Sequence, residues 1–479
     1  MSNLLTSLIS TAQALGAFER ALVVSQNNVA NASTPGYATQ RILLHAAEFD
    51  PSTGLIGGVR AGEIESARNQ YAEQNVRRQR ESFGYYSQLA QSLAAVESSF
   101  DATGSQGIPA ALSNLFQSFS AWSLEPNSLP ARQRVMDRAG ELVDAFQQMA
   151  EGLARTMADA DRQLLQTAAR INEIGERLRD YNAARRQGGL HDAGLDTKIH
   201  SALEELSELV NFTALTQADG SVTVLIGGQS PLVIGESLFR IGVQFDLPPS
   251  PPPAYTSAPA PARIVASGGQ DITRLVSQGA LGGLLNVRNQ ALPSLGGDAF
   301  HAGDINTLAK AVADRVNELL TSGRISDGPP PVDGIPLFLY DATSDALTAQ
   351  TLRLNPALTP QTLAAISPGP PYVSNGIPLQ LAELSDPRRE QDKAAGFSYA
   401  EYFGQVAGRV GALLADARDN RDFRSQMTAQ ARDLRQQLSG VSLDEEAILI
   451  MQFQRAYQAN ARMLGMLGEL TEAVINLIR

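Results

Sequence analysis

Residues 443–478 read LDEEAILIMQFQRAYQANARMLGMLGELTEAVINLI, and this stretch carries two apolar seams side by side. One runs Leu443, Ala447, Ile450, Gln454, Tyr457, Ala461, Leu464, Gly468, Thr471, Ile475 and Ile478, in the alternating steps of four and three that mark a coiled-coil stripe. The other, Leu449, Phe453, Ala456, Asn460, Met463, Leu467, Leu470, Val474 and Leu477, lies about 100° around the axis because it is offset by one residue. Arg455, Gln458, Arg462, Gly465, Glu469, Glu472 and Asn476 share a further side. The pattern predicts a helix of about 54 Å with a wide apolar arc and a single solvated flank. Ser442 and Glu445 have the spacing of a capping box, and Asp444 and Glu446 add negative charge where the helix dipole favours it.

The other end of the chain repeats the theme. Only two charged side chains, Glu19 and Arg20, occur in the first forty residues. Leu4, Leu8, Leu15, Phe18, Leu22 and Val29 form one seam, and Leu5, Ile9, Ala12, Gly16, Val23 and Ala30 a neighbouring one. The two terminal helices are expected to pair as a coiled coil, which uses one face of each. The second face then needs other subunits, so both termini are expected to become firmly ordered only on assembly. The candidate assembly interface is Leu4, Leu5, Leu8, Ile9, Leu15, Phe18 and Leu22 together with Ile450, Phe453, Tyr457, Met463, Leu464, Leu467, Leu470, Val474 and Ile475. A monomer that buries both helices in an ordinary core is the alternative. Position favours assembly, because a soluble chain ordinarily leaves its ends polar and frayed.

At 479 residues the chain is long enough for several domains, each with its own core. The net charge of −12, the presence of only Lys198, Lys310 and Lys393 as lysines, and the dispersal of the arginines argue against nucleic acid as a partner. The cluster Arg77, Arg78 and Arg80 reads as a solvated helix face. Without cysteine there is neither a disulfide nor thiolate chemistry. No basic region precedes an apolar run at the N-terminus, and no apolar run reaches about 18 residues, so neither a cleavable signal peptide nor a membrane span is expected.

Between the ends the period of the apolar residues changes twice. Residues 31–63, with Pro35-Gly36, Pro51 and glycines from Gly54 to Gly62, read as an extended connector with turns. Leu142, Phe146, Met149, Leu153, Met157, Ala160, Leu164, Ile171, Ile174, Leu178 and Tyr181 predict a helix of about 40 residues. Further helices are expected near 66–100, 109–121 and 399–438. Phe212–Gln217, Asp219-Gly220 and Ser221–Ile226 read as a β-hairpin, with strands at Leu232–Ile234 and Phe239–Phe245. A proline-rich run, Pro248–Pro261, reads as a stiff linker. Helices near 271–292 and 303–322 follow, then a turn-rich, strand-like region from Pro329 to about Leu384.

The expected fold is mainly α with an inserted β-rich domain. Residues 1–63 and 439–479 form a terminal coiled-coil domain with its connector, 64–210 and 396–438 an elongated helical bundle, and 211–395 an outer β-rich domain holding a helical pair at 271–322.

Asn27-Asn28-Val29-Ala30-Asn31, followed by Thr34-Pro35-Gly36-Tyr37, resembles the N-terminal signature of the bacterial flagellar axial family of rod, hook and hook-associated proteins. Ser439-Gly440-Val441-Ser442-Leu443-Asp444-Glu445-Glu446, continuing to Gln454, Tyr457 and Ala459, resembles that family's C-terminal signature. Ala32-Ser33 and Ala38-Thr39 depart from its commonest wording. Leu112–Arg134, with Pro126 and Arg132, and the run from Leu281 to Arg288 resemble the hook-associated members in particular. Physically, the asparagines suit a helix end, and Pro35 and Gly36 forbid its continuation. A plain helix stop explains them equally well.

The resemblance implies a place where hook meets filament, outside the cell, reached by unfolded export through the flagellar type III apparatus. It implies self-association into a ring, contacts with hook protein and a second junction protein, and an export chaperone on the C-terminal helix. Another axial component, hook or rod protein, is the alternative; its members would resemble this chain at the ends only.

No enzyme site is expected, and no cofactor or metal. His45, His191, His200 and His301 form no ligand motif; His191 and His200 bracket Asp192 and Asp196 in a glycine-rich polar segment that reads as loop or surface. Neither a phosphate-cradling glycine loop nor a nucleophile elbow occurs. A cell-wall hydrolase is therefore a remote alternative.

Overall fold

The computed structural model describes residues 2–47, 57–98, 100, 107–188, 192–245, 262–298, 301–326, 328, 330–369 and 371–478. Pro51, Gly54, His191, the proline-rich run and Pro329 lie outside the described residues. Helix α1 (Ser2–Ala30) is followed by strands β1 (Gln40–Ala46) and β2 (Val59–Ser66), then helices α2 (Gln70–Glu97), α3 (Gly107–Leu124), α4 (Leu129–Arg186) and α5 (Ala193–Leu209). Strands β3 (Phe212–Thr216), β4 (Val222–Ile226), β5 (Ser230–Ile234), β6 (Ser237–Leu238), β7 (Gly242–Phe245) and β8 (Ala262–Val265) come next. Helices α6 (Gly279–Asn286), α7 (Leu292–Gly296) and α8 (Asp304–Ser322) precede short strands β9 (Arg324–Ser326), β10 (Val332–Asp333) and β11 (Phe338–Leu339). Helix α9 (Thr348–Thr351), strand β12 (Arg353–Leu354) and helix α10 (Gly376–Glu383) lead to the two final helices, α11 (Tyr399–Ser439) and α12 (Leu443–Ile478). The chain is thus mainly α with small antiparallel sheets, as its periodicity predicts.

Two compact units form: Met1–Phe83, Ile171–Arg240 and Phe423–Arg479 make one, Gly84–Arg170 and Ile241–Asp422 the other. In the first, α1 and α12 pack antiparallel, for Phe18 meets Phe453 with ring centroids 6.5 Å apart while Asn28 meets Glu446. The segment read as a connector is instead a two-stranded antiparallel sheet, with Gln40 opposite Ser66 and Ala46 opposite Val59. It packs on α1, where the Ser10 hydroxyl donates to the Gly57 carbonyl at 3.1 Å. Its alternation is hidden because Gly62 and the charged Arg60, Glu63 and Glu65 make up half of β2. Later in the same unit, β3–β4–β5–β6 form an antiparallel sheet in that order. Asn182 of α4 pins it: its amide donates to the Val222 and Gly235 carbonyls and accepts from the Val222 N–H, all within 2.9 Å. Of the strand predicted at Phe239–Phe245 only Gly242–Phe245 forms, as β7, which pairs with β8 in a separate sheet.

In the second unit, Trp122, Phe119, Phe146, Tyr399 and Phe403 lie in one apolar core to which α3, α4, α8 and α11 contribute. Helix α4 runs 58 residues, longer than its predicted stretch. Polar-looking residues 129–141 hide the buried Val135 and Ala139, and Pro130 sits in the first turn, where the N–H it lacks has no helical partner to lose. The predicted helix 271–292 begins only at Gly279 and passes through a π-helical turn, Val287–Ala291, before α7. This region packs on the bundle helices. A Cβ on Gly283 would meet the Tyr85 carbonyl oxygen at 2.6 Å, and Arg288 pairs with Asp161 of α4 at 2.5 Å.

Candidate assembly site

The two signature segments meet in the first unit around the buried amide of Asn28. Its nitrogen donates to the Gln40 carbonyl at 2.8 Å and to a Glu446 carboxylate oxygen at 2.7 Å. Its oxygen accepts from the Gln40 N–H and from the Tyr37 hydroxyl, both at 2.9 Å. Both N–H groups and both acceptor positions of the amide are therefore used. Burial, and then the charge of Glu446, push the Tyr37 hydroxyl up from its ordinary range, which keeps it a donor. Beside this hub the Thr39 N–H donates to the Ser439 carbonyl at 2.9 Å, and the Thr39 hydroxyl to the Gly440 carbonyl at 2.7 Å. Ser439 in turn accepts from the Asn69 N–H at 2.9 Å. The start of β1, the start of α2 and the α11–α12 joint are thus tied together.

The outer part of the N-terminal signature is local structure. Asn31 donates to the Asn27 side chain at 2.7 Å and accepts from the Thr34 hydroxyl at 3.2 Å, closing the end of α1. Gly36 turns the chain with φ of 77°, a left-handed conformation that suits glycine. Asn27, Ala30, Thr34 and Pro35 are exposed, as are Asp444 and Glu445; Tyr37, Ser439 and Glu446 are buried, and Asn31, Gly36 and Gly440 half-buried. The Ser442 hydroxyl accepts from the Glu445 N–H at 3.4 Å, one of the two bonds of a capping box. Glu446 does more than complement the helix dipole, since its carboxylate holds Asn28.

A second layer of charge surrounds the hub. Arg68 donates to the Gly36 carbonyl at 2.9 Å and pairs with Glu73 at 2.5 Å and Asp196 at 2.9 Å. Glu204 of α5 receives Arg435 at 2.7 Å, Arg432 at 2.8 Å and Arg80 at 3.0 Å. Burial pushes the Glu204 carboxyl up, but the hydrogen bonds and charges of Arg435 and Arg432 outweigh it and hold it at about 2. The segment around Asp192, expected as loop, is in fact the N-cap of α5, with Asp196 and His200 on the helix. His200 is kept well below its ordinary range by burial and by Arg68, Arg77, Arg185 and Arg435. Since Arg77 can only donate, the Nδ1 that faces it at 3.2 Å accepts, which places the ring proton on Nε2, 3.8 Å from Asp196. The cluster Arg77 and Arg80, expected to be a solvated face, is part of this network; Arg80 also pairs with Glu208.

Along the helix pair, Ile450, Phe453, Tyr457, Asn460, Leu464, Leu467, Thr471 and Val474 are half-buried in a strict three-four rhythm. This inner seam draws alternately on the two predicted ones. On α1 the stripe through Phe18 and Asn28 is Leu4, Ser7, Thr11, Ala14, Phe18, Ala21, Ser25 and Asn28, mostly small or polar, which lets the helices approach. Leu8, Leu15 and Leu22 are half-buried beside it. Leu5 and Ile9 face outward at 59% and 49% exposure, and so do Met463, Leu470 and Ile475 at 50–54%. Gln40, Arg68, Glu73, Glu204 and Arg435 carry the site without being singled out in the sequence, and Thr39 is marked there only as a departure from the signature's commonest wording. Only Thr39 and Gln40, flanking the N-terminal signature, offered a signal.

Residues 93–338 match the family described as flagellar hook-associated protein FlgK helical domain, and residues 435–477 the C-terminal region of flagellar basal body rod FlgEFG proteins. The sequence is 25% identical to flagellar hook-associated protein 1 of Bacillus subtilis over 511 aligned residues, covering 99% of either chain. Against the protein of that name from Salmonella typhimurium the identity is 24% over 68% of this chain and 58% of the relative. The fold is similar to that of the flagellar hook junction protein FlgK from Burkholderia pseudomallei, with a TM-score of 0.59 and 14% identity over 75% of this chain and 99% of the other.

Proposed function

The chain belongs to the family of the flagellar hook-associated protein FlgK, and from this premise we propose that it is the structural component joining flagellar hook to filament, polymerising through its two terminal helices. One observation carries the reading: the signature segments at opposite ends converge on Asn28 and Glu446, while Leu5, Ile9, Met463, Leu470 and Ile475 stay uncovered on the outward faces of the same helix pair. A lone subunit gains nothing from exposing such side chains; neighbouring copies that cover them do. The face offered to neighbouring copies is the exposed part of the candidate set, Leu5, Ile9, Met463, Leu470 and Ile475, and self-association closes a ring between hook protein on one side and a second junction protein on the other.

Its place is outside the cell, with an export chaperone covering the C-terminal helix beforehand. Among the described residues no helix is long and apolar enough to cross a membrane. The role is mechanical and not enzymatic. Within it we assign residues 1–63 and 439–479 to polymerisation, 64–210 and 396–438 to helical support, and 211–395 to the outward part. Limited proteolysis of the assembled protein tests that division, since only 211–395 should then be cut.

The match of residues 435–477 to rod proteins favours a second reading, a rod or hook subunit. Removal of the gene separates the two. A junction protein leaves hooks without filaments and flagellin in the medium, whereas cells lacking hooks altogether would favour the rod or hook subunit.

A further inference from the structure

We propose that the outward face of α12 is a methionine oxidation site, at which conversion of Met451, Met463 and Met466 to sulfoxides weakens association through this helix. The chain has no cysteine, so its sulfur chemistry rests on eight methionines. Of the seven whose side chains are described, Met149 is buried and Met136, Met157 and Met427 are half-buried. The three on α12 are 50%, 51% and 57% exposed. They are also the methionines on the face left uncovered by α1, beside Ile448 and Leu470, which are 51% and 54% exposed. Met463 and Met466 stand three residues apart and so adjoin one another on the helix surface.

The chemistry needs only a peroxide. The thioether sulfur attacks one oxygen of hydrogen peroxide, the O–O bond breaks as the S–O bond forms, and the leaving hydroxide takes the hydrogen of the attacked oxygen and departs as water; sulfur is oxidised by two electrons and the peroxide reduced by two. The product is a polar, chiral side chain where an apolar, adaptable one stood. A copy docking on this face would have to bury three sulfoxide oxygens, each costly without a hydrogen-bond donor. In the half-buried inner seam, Ile450, Phe453, Tyr457, Leu464, Leu467 and Val474 contain no sulfur, so the α1–α12 pair itself survives the modification.

The effect on association rests on the assembly reading above, whereas the site of modification does not. The test treats the purified full-length chain with hydrogen peroxide, follows each methionine by peptide mass mapping, and measures self-association by sedimentation. Met451, Met463 and Met466 should gain oxygen before Met136, Met149, Met157 and Met427, and association should be lost in step. The variant carrying Met451→Leu, Met463→Leu and Met466→Leu should lose none of its own association on peroxide treatment, each sample being compared with its untreated half. Oxidation of Met149 at the same rate as the α12 trio would overturn the proposed site. Unchanged association of the oxidised parent, or equal loss in the triple variant, would overturn the proposed effect. If the untreated chain never associated, the assembly reading and the effect on association would fall together, while the mapping would still decide the site.

Discussion

Asn28 and Glu446, 418 residues apart in sequence, share a hydrogen bond of 2.7 Å inside the first unit. Replacing Asn28 by Ala strands the Gln40 N–H and carbonyl and the Tyr37 hydroxyl, and each buried polar group left unpaired costs about 1–3 kcal/mol. The variant should therefore unfold at clearly lower denaturant concentration. Asn28→Asp should be worse, because it turns a donor facing Glu446 into a second negative charge. Equilibrium denaturation of the three proteins checks the order; an Asn28→Asp variant as stable as the parent would refute the account of the hub.

Glu81 gives stability an unusual slope with pH. Burial pushes its carboxyl up to about 7, against the Phe212 N–H that it accepts at 3.4 Å and the charges of Arg77 and Arg78. The folded value lies above the unfolded one of 4.5, so the folded state holds the proton longer. The contribution is fully present below pH 4.5 and is lost as pH rises to about 7. Glu81→Gln, which keeps an acceptor for Phe212, should be spared that loss, with the two proteins diverging by about 3 kcal/mol across this window. Parallel pH profiles of the melting temperatures would contradict it.

Glu204 acts in the opposite sense. Its folded value of about 2 lies below 4.5, so its stabilisation is present above pH 4.5 and disappears as pH falls towards 2. Glu204→Gln should cost about 2 kcal/mol at neutral pH, discounted for the solvent that reaches the pair, and nothing near pH 2. Urea titrations at the two pH values measure the difference.

In a monomeric sample, amides of residues 1–30 and 445–479 should exchange faster than those of α3 and α4, since one face of each terminal helix is uncovered and few apolar side chains hold α12. Assembly should slow them. Strong protection of both segments in a demonstrated monomer would show that one seam suffices to order them.

A Cβ at residue 283 has nowhere to go, because the Tyr85 carbonyl oxygen would lie 2.6 Å away and belongs to helix backbone. Gly283→Ala should lower stability by about 1–3 kcal/mol, measurable as a shift in the midpoint of thermal unfolding of the intact chain.

The long helices were legible because apolar side chains recur at fixed spacing over tens of residues, as from Leu142 to Tyr181. The pairing of the two ends was legible for the same reason. Their inner seam was misdrawn, since a helix apolar on two adjacent faces does not announce which side chains turn inward; the three-four rhythm of Ile450, Phe453, Tyr457 and Asn460 crosses both predicted stripes. The hairpin Gln40–Ser66 was hidden by glycines and by charged residues on its exposed side. The ionic layer was the least legible part. Arg68 with Glu73, Glu204 and Arg435 come from three separate stretches, and no local pattern marks an arginine such as Arg435, whose partner Glu204 is 231 residues away.

Because α1 and α12 run antiparallel and clasp each other, two helices some four hundred residues apart are halves of a single object. A copy broken anywhere along its length lacks one half, and with it the seam on which Phe18 meets Phe453. Under the assembly proposed above, a copy that stops short of α12 has no completed seam to offer, so the topology of the chain itself would screen it out.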